Sequence, residues 1–518
     1  MKTKGLVSWF VVLVSLLAAP LWGETVIEAW RSPAGMFVQP AGISVDSSDG
    51  SCWVFDDGSW DLVRLSRSGR ELLRIGDFYG GAEISASSLD GSCWLTGQVA
   101  SHISAGGEVL LEGYLYDILA ASSYDGSCWT ATYTGLDDYV RHLSANGQVL
   151  WESEQYSFSL PHSLSCNASD GSCWVANEHT DEVVHLAGNG EELLRLGRLN
   201  FPHFQPLCVS VDSSDNSCWV GGIWVETGYL QVLHISENGD ELGRGEYLVD
   251  IEDGDLSASP SDGTCWVSDR WDDRVLHLSG TAEVLWESDQ YRPIGVSANA
   301  ADGSCWVSDR GNGRVVHLVI AGEPTFSDVP VTHWAFYGIE ACVSSGVVVG
   351  YPDGTYLPDL PVSRAAMAVY ISRALAGGDA NVPFGPETPT FEDVPTNHWA
   401  YKYIEYCKAH DVVQGFTPTT YAPDVVVNRA QMAAYIARAV AGGDSAVPDG
   451  PATPSFSDVA TDHWAYDYVE YCKAHSIVLG YTQDDPGTPE NEATYAPDLD
   501  VTRDQMAVYV ARAFELPI

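Results

Sequence analysis

With 518 residues the chain is long enough for two or more domains. Its formal charge is −46, from 25 Lys and Arg against 71 Asp and Glu. Such a surface repels phosphate backbones and argues against nucleic acid as a partner, while favouring solubility outside the cell.

The chain opens with Lys2 and Lys4, an apolar run from Leu6 to Ala19, and then Pro20-Leu21-Trp22-Gly23. This pattern predicts a secretory signal over residues 1–23, cleaved after Gly23. Its loss removes two lysines and no acid, taking the charge from −46 to −48. No later apolar run reaches the ~18 residues of a spanning helix, so no transmembrane segment is expected after cleavage.

From there a hairpin signature recurs. Asp49-Gly50-Ser51-Cys52-Trp53-Val54 returns with cysteines at 93, 128, 173, 218, 265 and 305, roughly every 42 residues. An alternating segment such as Ile43-Ser44-Val45-Asp46 precedes the Asp-Gly turn, and Cys-Trp-Val starts the returning strand. A third strand such as Val183–Leu186 and a fourth such as Glu283–Trp286 follow. Four short strands per repeat predict a seven-bladed β-propeller over 24–320. The last repeat has only three strands, and Glu24–Trp30 resembles the fourth strands elsewhere, so it is expected to close the ring.

The repeats resemble the NHL-type propeller family, through Gly42-Ile43-Ser44-Val45-Asp46 for the first strand and Cys305-Trp306-Val307-Ser308-Asp309 for the second. The resemblance implies fold far more than function.

After a linker at 321–325 the period changes. Phe326-Ser327-Asp328-Val329 recurs at Phe391 and Phe456, 65 residues apart each time, and each copy leads to His-Trp-Ala at 333, 398 and 463. Helical spacing follows, with Ile339, Cys342 and Val343 on one face. A Gly-rich turn and a second helix rich in Ala and Met complete each unit. The units span 326–377, 391–442 and 456–516, separated by Gly/Pro-rich stretches. They resemble S-layer homology (SLH) modules, through Asp-Val, His-Trp-Ala, Gly350-Tyr351-Pro352-Asp353-Gly354-Thr355 and Ser363-Arg364-Ala365-Ala366 in that order. The resemblance implies an α-helical pseudo-threefold trimer of helical hairpins whose grooves bind pyruvylated secondary cell-wall polysaccharide.

A capping motif opens each second helix. Asn428-Arg429-Ala430-Gln431 and Thr502-Arg503-Asp504-Gln505 predict capping boxes, while Ser363-Arg364-Ala365-Ala366 keeps the cap alone. An arginine beside the free amides and positive end of a helix is a ready carboxylate site. A pyruvyl ketal offers such a carboxylate. The resemblance therefore assigns polymer binding to Arg364, Arg429 and Arg503, with turn glycines Gly350, Gly415 and Gly480 and with Trp334, Trp399 and Trp464. Read as residues alone, the arginines fit a solvated surface equally well, and the tryptophans read as core packing. The first unit follows the pattern best and is expected to matter most. The second lacks the Asp-Gly turn, and the third inserts Gln483–Ala493.

In the propeller, His102, His142, His185, His234, His277 and His317 recur at one strand position, with Arg64 in the first blade. A position repeated around a ring cannot converge on one metal, so these read as structural. The non-repeating residues at the channel mouth are better ligand candidates: Asp117, His162, His203, Gln205, Asp253, Asp255 and Arg292. The turn aspartates Asp46 and Asp49 lack calcium-loop spacing. No cofactor and no metal site is expected. No nucleophile-elbow, zincin, Cys-x-x-Cys or Walker motif occurs, so nothing positive argues for an enzyme. The seven repeat cysteines are expected to be buried and reduced, because equivalent blade positions lie too far apart to bridge. Cys166 sits across its hairpin from Cys173, where a bridge is possible.

The whole reads as an exported cell-wall protein displaying a propeller as a binding platform for an unknown protein, peptide or glycan. The alternatives are an anchored propeller enzyme, such as a metal-dependent lyase using His162 and His203, and a structural surface-layer subunit.

Overall fold

The computed structural model describes residues 24–516, apart from 79–82, 97–99, 115–117, 133–137, 155–156, 225–228, 248–254, 482–493 and the single positions 199, 271, 289 and 323. Residues 1–23, the expected signal, lie outside the described residues, as do Asp117 and Asp253. Among the described residues no helix is long and apolar enough to cross a membrane.

Seven four-stranded antiparallel sheets form the N-terminal body, a seven-bladed propeller. In the fourth blade the strands are Pro161–Cys166, Cys173–Asn177, Glu182–Leu186 and Glu192–Leu196. The hairpin between the first two turns at Gly171 with φ +73°, and Ser172 N donates to Asp170 Oδ1 at 2.8 Å. The Asp-Gly-Ser motif is thus turn chemistry. The last blade takes its outer strand, Val26–Arg31, from the start of the chain, paired antiparallel with Arg314–Ile320.

The Cys-Trp pair holds the ring together. Every repeat tryptophan is fully buried and packs against the cysteine of the next blade: Trp53 with Cys93, Trp94 with Cys128, Trp129 with Cys173, Trp174 with Cys218, Trp219 with Cys265, Trp266 with Cys305, and Trp306 back onto Cys52. A small apolar side chain on one blade makes room for an indole from its neighbour. All of these thiols are buried and free.

Each recurring histidine stacks on the tryptophan of its own blade, at 4.1–4.4 Å between ring centroids. In five blades its Nε2 meets the hydroxyl of the motif's Ser or Thr, as in His142 with Ser127 at 2.7 Å. Burial lowers the pKa of His102, His142, His185 and His317, which keeps these rings neutral inside the blades. Arg64 replaces histidine in the first blade and reaches Asp46, Asp49 and Ser51.

Serines on the innermost strands tie blade to blade. Ser44, Ser85, Ser165, Ser210, Ser257 and Ser297 each accept a backbone N–H from the following blade. The third blade has Ala120 at this position.

The C-terminal body contains six α-helices: α1 (Phe336–Ser344), α2 (Arg364–Ala376), α3 (Tyr401–Ala409), α4 (Arg429–Ala441), α5 (Tyr466–Ala474) and α6 (Arg503–Ala513). The first helix of each unit packs on the second helix of the unit before it: α3 on α2, α5 on α4, and α1 on α6. Cys342, Cys407 and Cys472 point across these contacts to backbone carbonyls of the partner helix. At the centre, Val362 N donates to Val501 O, Val501 N to Val427 O, and Val427 N to Val362 O, each at 2.9 Å. This cycle closes the pseudo-threefold.

Candidate functional site

Three equivalent cradles form where the second helix of one unit starts beneath the Gly turn of the next. Each turn is clamped by the aspartate of the Phe-x-Asp-Val motif. Asp328 accepts from Tyr356 N and Leu357 N, Asp393 from Tyr421 N and Ala422 N, and Asp458 from Tyr495 N and Ala496 N, all at 2.7–2.8 Å. Two carboxylate bonds hold a backbone in which Leu357, Ala422 and Ala496 adopt φ near +57°, a conformation costly for non-glycine residues. The phenylalanine of the same motif explains the glycine. A Cβ at Gly350 would lie 2.1 Å from Phe326 Cε1, and one at Gly480 2.2 Å from Phe456 Cε1.

The clamped tyrosine receives the arginine of another unit. Arg364 Nε donates to Tyr421 O at 2.7 Å, Arg429 Nε to Tyr495 O at 2.7 Å, and Arg503 Nε to Tyr356 O at 2.8 Å. Each guanidinium lies 4.4–4.6 Å from the centroid of that tyrosine ring. Further rings complete the cradle: Tyr435 for Arg364, Tyr481 and Tyr509 for Arg429, and Tyr351 for Arg503. Arg364 and Arg429 are 7% and 3% exposed, whereas Arg503 is half-buried. Arg373 and Arg438 of this body form ion pairs, but among the described residues each of these three positive charges faces aromatic rings and carbonyls without a carboxylate.

Three expectations need correction. First, Arg364 does not share a site with the Gly350–Thr355 turn of its own unit. Helix α2 packs against the next unit, so Arg364 meets Gly415 and Tyr421, Arg429 meets the Gly480 turn, and Arg503 closes the ring at Tyr351 and Tyr356. The best-patterned turn therefore belongs to Arg503. Second, the helix amides are not free. Arg364 N and Ala365 N donate to Val425 O and Pro423 O, Arg429 N and Ala430 N to Leu499 O and Pro497 O, and Arg503 N and Asp504 N to Leu360 O and Pro358 O. These bonds leave the guanidinium groups as the only cationic feature described at each helix start. Third, the capping box forms at Asn428 with Gln431 but not at Thr502, whose hydroxyl donates to Asp504 Oδ1. The nearer carboxylate outcompetes the backbone amide.

The tryptophans are a further departure from the packing reading. Trp334, Trp399 and Trp464 are 62%, 62% and 58% exposed. Trp334 Nε1 donates to Asp504 Oδ2 at 3.0 Å, which holds the ring against the start of α6. The groove of Arg364 has a volume of about 230 Å³ and is lined also by Gly415, Phe416, Gln431, Tyr435 and Trp464. A cation, planar rings and an exposed indole suit a carboxylate-bearing saccharide. The tyrosines and aspartates escaped sequence reading, although Tyr356, Tyr421 and Tyr495 sit at the same place in all three repeats and could have been found by aligning them.

At the propeller channel the described candidates are dispersed among separate partners. His162 Nδ1 bonds to Leu207 O at 2.9 Å, and His203 lies 6.1 Å from the Trp224 ring. Gln205 Nε2 donates to Glu178 Oε1 at 3.1 Å, and Arg292 pairs with Asp273 at 3.3 Å. Asp255 is enclosed by protein, which raises its carboxyl to about 7. Among the described residues no group of three or more His, Cys, Asp or Glu is placed to hold a metal ion.

Comparison with known proteins adds the following. Residues 325–368, 390–433 and 455–507 each match the model of the S-layer homology domain. A cellulosome-anchoring protein of Acetivibrio thermocellus is 33% identical over 30% of this chain and 34% of its own length. The S-layer protein EA1 of Bacillus anthracis is 31% identical over 37% of this chain and 20% of its own. The chain thus spans about a third or less of the length of these relatives. A solved virginiamycin B lyase of Staphylococcus aureus aligns at 15% identity over 57% of this chain and 99% of its own, with a TM-score of 0.45. The clamped turns, crossed-over arginines and family matches coincide: the C-terminal part of this chain is a set of three S-layer homology domains, carried behind a seven-bladed β-propeller.

Proposed function

We propose that the protein is held at the cell surface by its three S-layer homology domains, which bind cell-wall polysaccharide, and that the propeller is displayed as an interaction platform. The observation that carries this reading is the threefold repeat of an enclosed guanidinium without a carboxylate partner, seen at Arg364, Arg429 and Arg503. The names of the relatives, a cellulosome-anchoring protein and S-layer proteins, point the same way. In finer detail, the polymer is pyruvylated, and the ketal carboxylate completes the charge in each cradle while a sugar ring lies on the exposed indole.

The test is sedimentation of the purified protein with isolated cell walls, before and after mild acid removal of ketal-linked pyruvate. Wild type is expected to sediment with untreated walls and to stay in the supernatant with treated ones. Equal sedimentation with both would remove pyruvate from the mechanism. No sedimentation with either would remove wall anchoring altogether.

A further inference from the structure

The last turns of α2, α4 and α6 carry a second set of equivalent arginines, Arg373, Arg438 and Arg512. Two of them are neutralised alike. Arg373 donates Nε to Asp379 Oδ1 at 3.0 Å and Nη2 to Tyr403 Oη at 3.2 Å. Arg438 donates Nε to Asp444 Oδ1 at 2.6 Å and Nη2 to Tyr468 Oη at 2.9 Å. In both places the tyrosine hydroxyl also donates to the carboxylate. Asp379 is held below the usual carboxylate range by Tyr403 and Arg373. Burial opposes the same shift at Asp444, where Tyr468 and Arg438 prevail.

The third place is built differently. The position of Tyr403 and Tyr468 is Gly338 in α1. Among the described residues no carboxylate pairs with Arg512, and the titratable group that acts on its charge is the Tyr509 hydroxyl. A cavity of about 90 Å³ opens here, where the helical body meets the propeller. It is lined by Arg512, Glu515, Trp334 and Tyr337 on one side and by Trp30 and Arg67 on the other. Nearby charges are already matched, Arg67 with Asp302 and Arg70 with Glu515 at 2.5 Å. A chain with 71 acids and 25 basic residues therefore keeps one unmatched cation at its domain junction.

An enclosed charge without a counter-ion is costly, and burial accordingly lowers the pKa of Arg512. The two sister sites show which chemistry relieves that cost, since both fill it with a carboxylate. The cavity has the volume of roughly three waters, so it suits an ion of acetate or pyruvate size and not a sugar ring. We propose that the junction cavity is a binding site for a small organic carboxylate, which pairs with Arg512 and bridges the helical body to the propeller. This site is separate from the three polymer cradles and stands whether or not they bind cell wall.

The test is a titration of the whole protein with acetate, followed by calorimetry, with acetamide as the uncharged isostere. Acetate is expected to bind saturably and acetamide not at all. Arg512→Gln should weaken acetate binding by about tenfold or more, as loss of a charge-assisted pair implies. Arg373→Gln, whose sister site is filled by Asp379, should leave acetate binding unchanged. A gain of function guards against misfolding of the first variant: Asp444→Gly empties a sister site and should add a second acetate site. Absence of saturable acetate binding to wild type, or equal binding by Arg512→Gln, overturns the proposal. So does markedly tighter binding by a chain ending at Leu516, which would assign the place to residues 517–518.

Discussion

Replacing the cradle arginines one at a time should separate their role in stability from their role in binding. Arg429 is 3% exposed and donates Nε to Tyr495 O at 2.7 Å and Nη1 to the Tyr509 hydroxyl, with three tyrosine rings 4.6–5.6 Å away. A hydrogen bond to a charged group contributes about 1.5–3 kcal/mol, and a desolvated cation–π contact up to about 2 kcal/mol. These overlap, and alanine also relieves the desolvation of the charge, so Arg429→Ala should cost about 2–4 kcal/mol. For a body of this size that lowers the melting temperature by on the order of 10 °C. Arg503 is half-buried, with one such bond at 2.8 Å and two rings, so Arg503→Ala should cost about half as much. Both variants should lose wall affinity about tenfold or more. Lysine at either position keeps the charge but lacks the planar fork, and should restore stability in part and binding poorly. The assay is thermal melting by far-UV circular dichroism beside wall sedimentation. If Arg429→Ala melts within about 1 °C of wild type, or if Arg503→Ala is the more destabilised, the reasoning from enclosure fails.

Two further outcomes follow from the propeller. Asp255 has a folded-state pKa raised by desolvation to about 7, so there the folded state binds more protons than the unfolded chain between roughly pH 4 and 7. The contribution of this group to propeller stability should therefore be fullest near pH 4 and be lost by the time pH has risen through about 7, and Asp255→Asn should flatten that slope in melting curves; a slope unchanged in the variant would contradict the assignment. Cys166 faces Cys173 directly across the hairpin, next to the bonded pair Asn167 N to Ser172 O at 2.8 Å, where Cα separations suit a disulfide. Burial pushes the Cys166 thiol up to about 12, so a mild oxidant should form this bridge slowly at neutral pH and faster at high pH, as peptide mapping would read; oxidation of other thiols first would refute the pairing.

What the amino-acid sequence settles here is whatever repeats. A hairpin that returns as Asp-Gly-Ser-Cys-Trp can bury its indole only against a copy of itself, and seven copies with one outer strand displaced to the chain start can close only as a ring. The same logic identifies the three helical units and the arginine at the start of each second helix. Periodicity, however, reports which residues are equivalent and not which unit each one touches. Helix α2 packs on the helix after it and not on the one before, so every cradle is shared between units, and Arg364 belongs with Tyr421 instead of Gly350. Exposure was equally hidden. An indole reads as core in composition, yet Trp334, Trp399 and Trp464 are all exposed, and Trp464 lines a groove between units that exists only once they have packed together. The unmatched charge at Arg512 is the extreme case. The repeat places Gly338 where its sisters have Tyr403 and Tyr468, but only the folded chain reveals that those tyrosines meet Arg373 and Arg438 and that a cavity opens beside Arg512. Local patterns decide which elements form, because backbone and side-chain preferences act within a few residues. Long-range packing decides which charges meet, because that depends on contacts dozens to hundreds of residues apart.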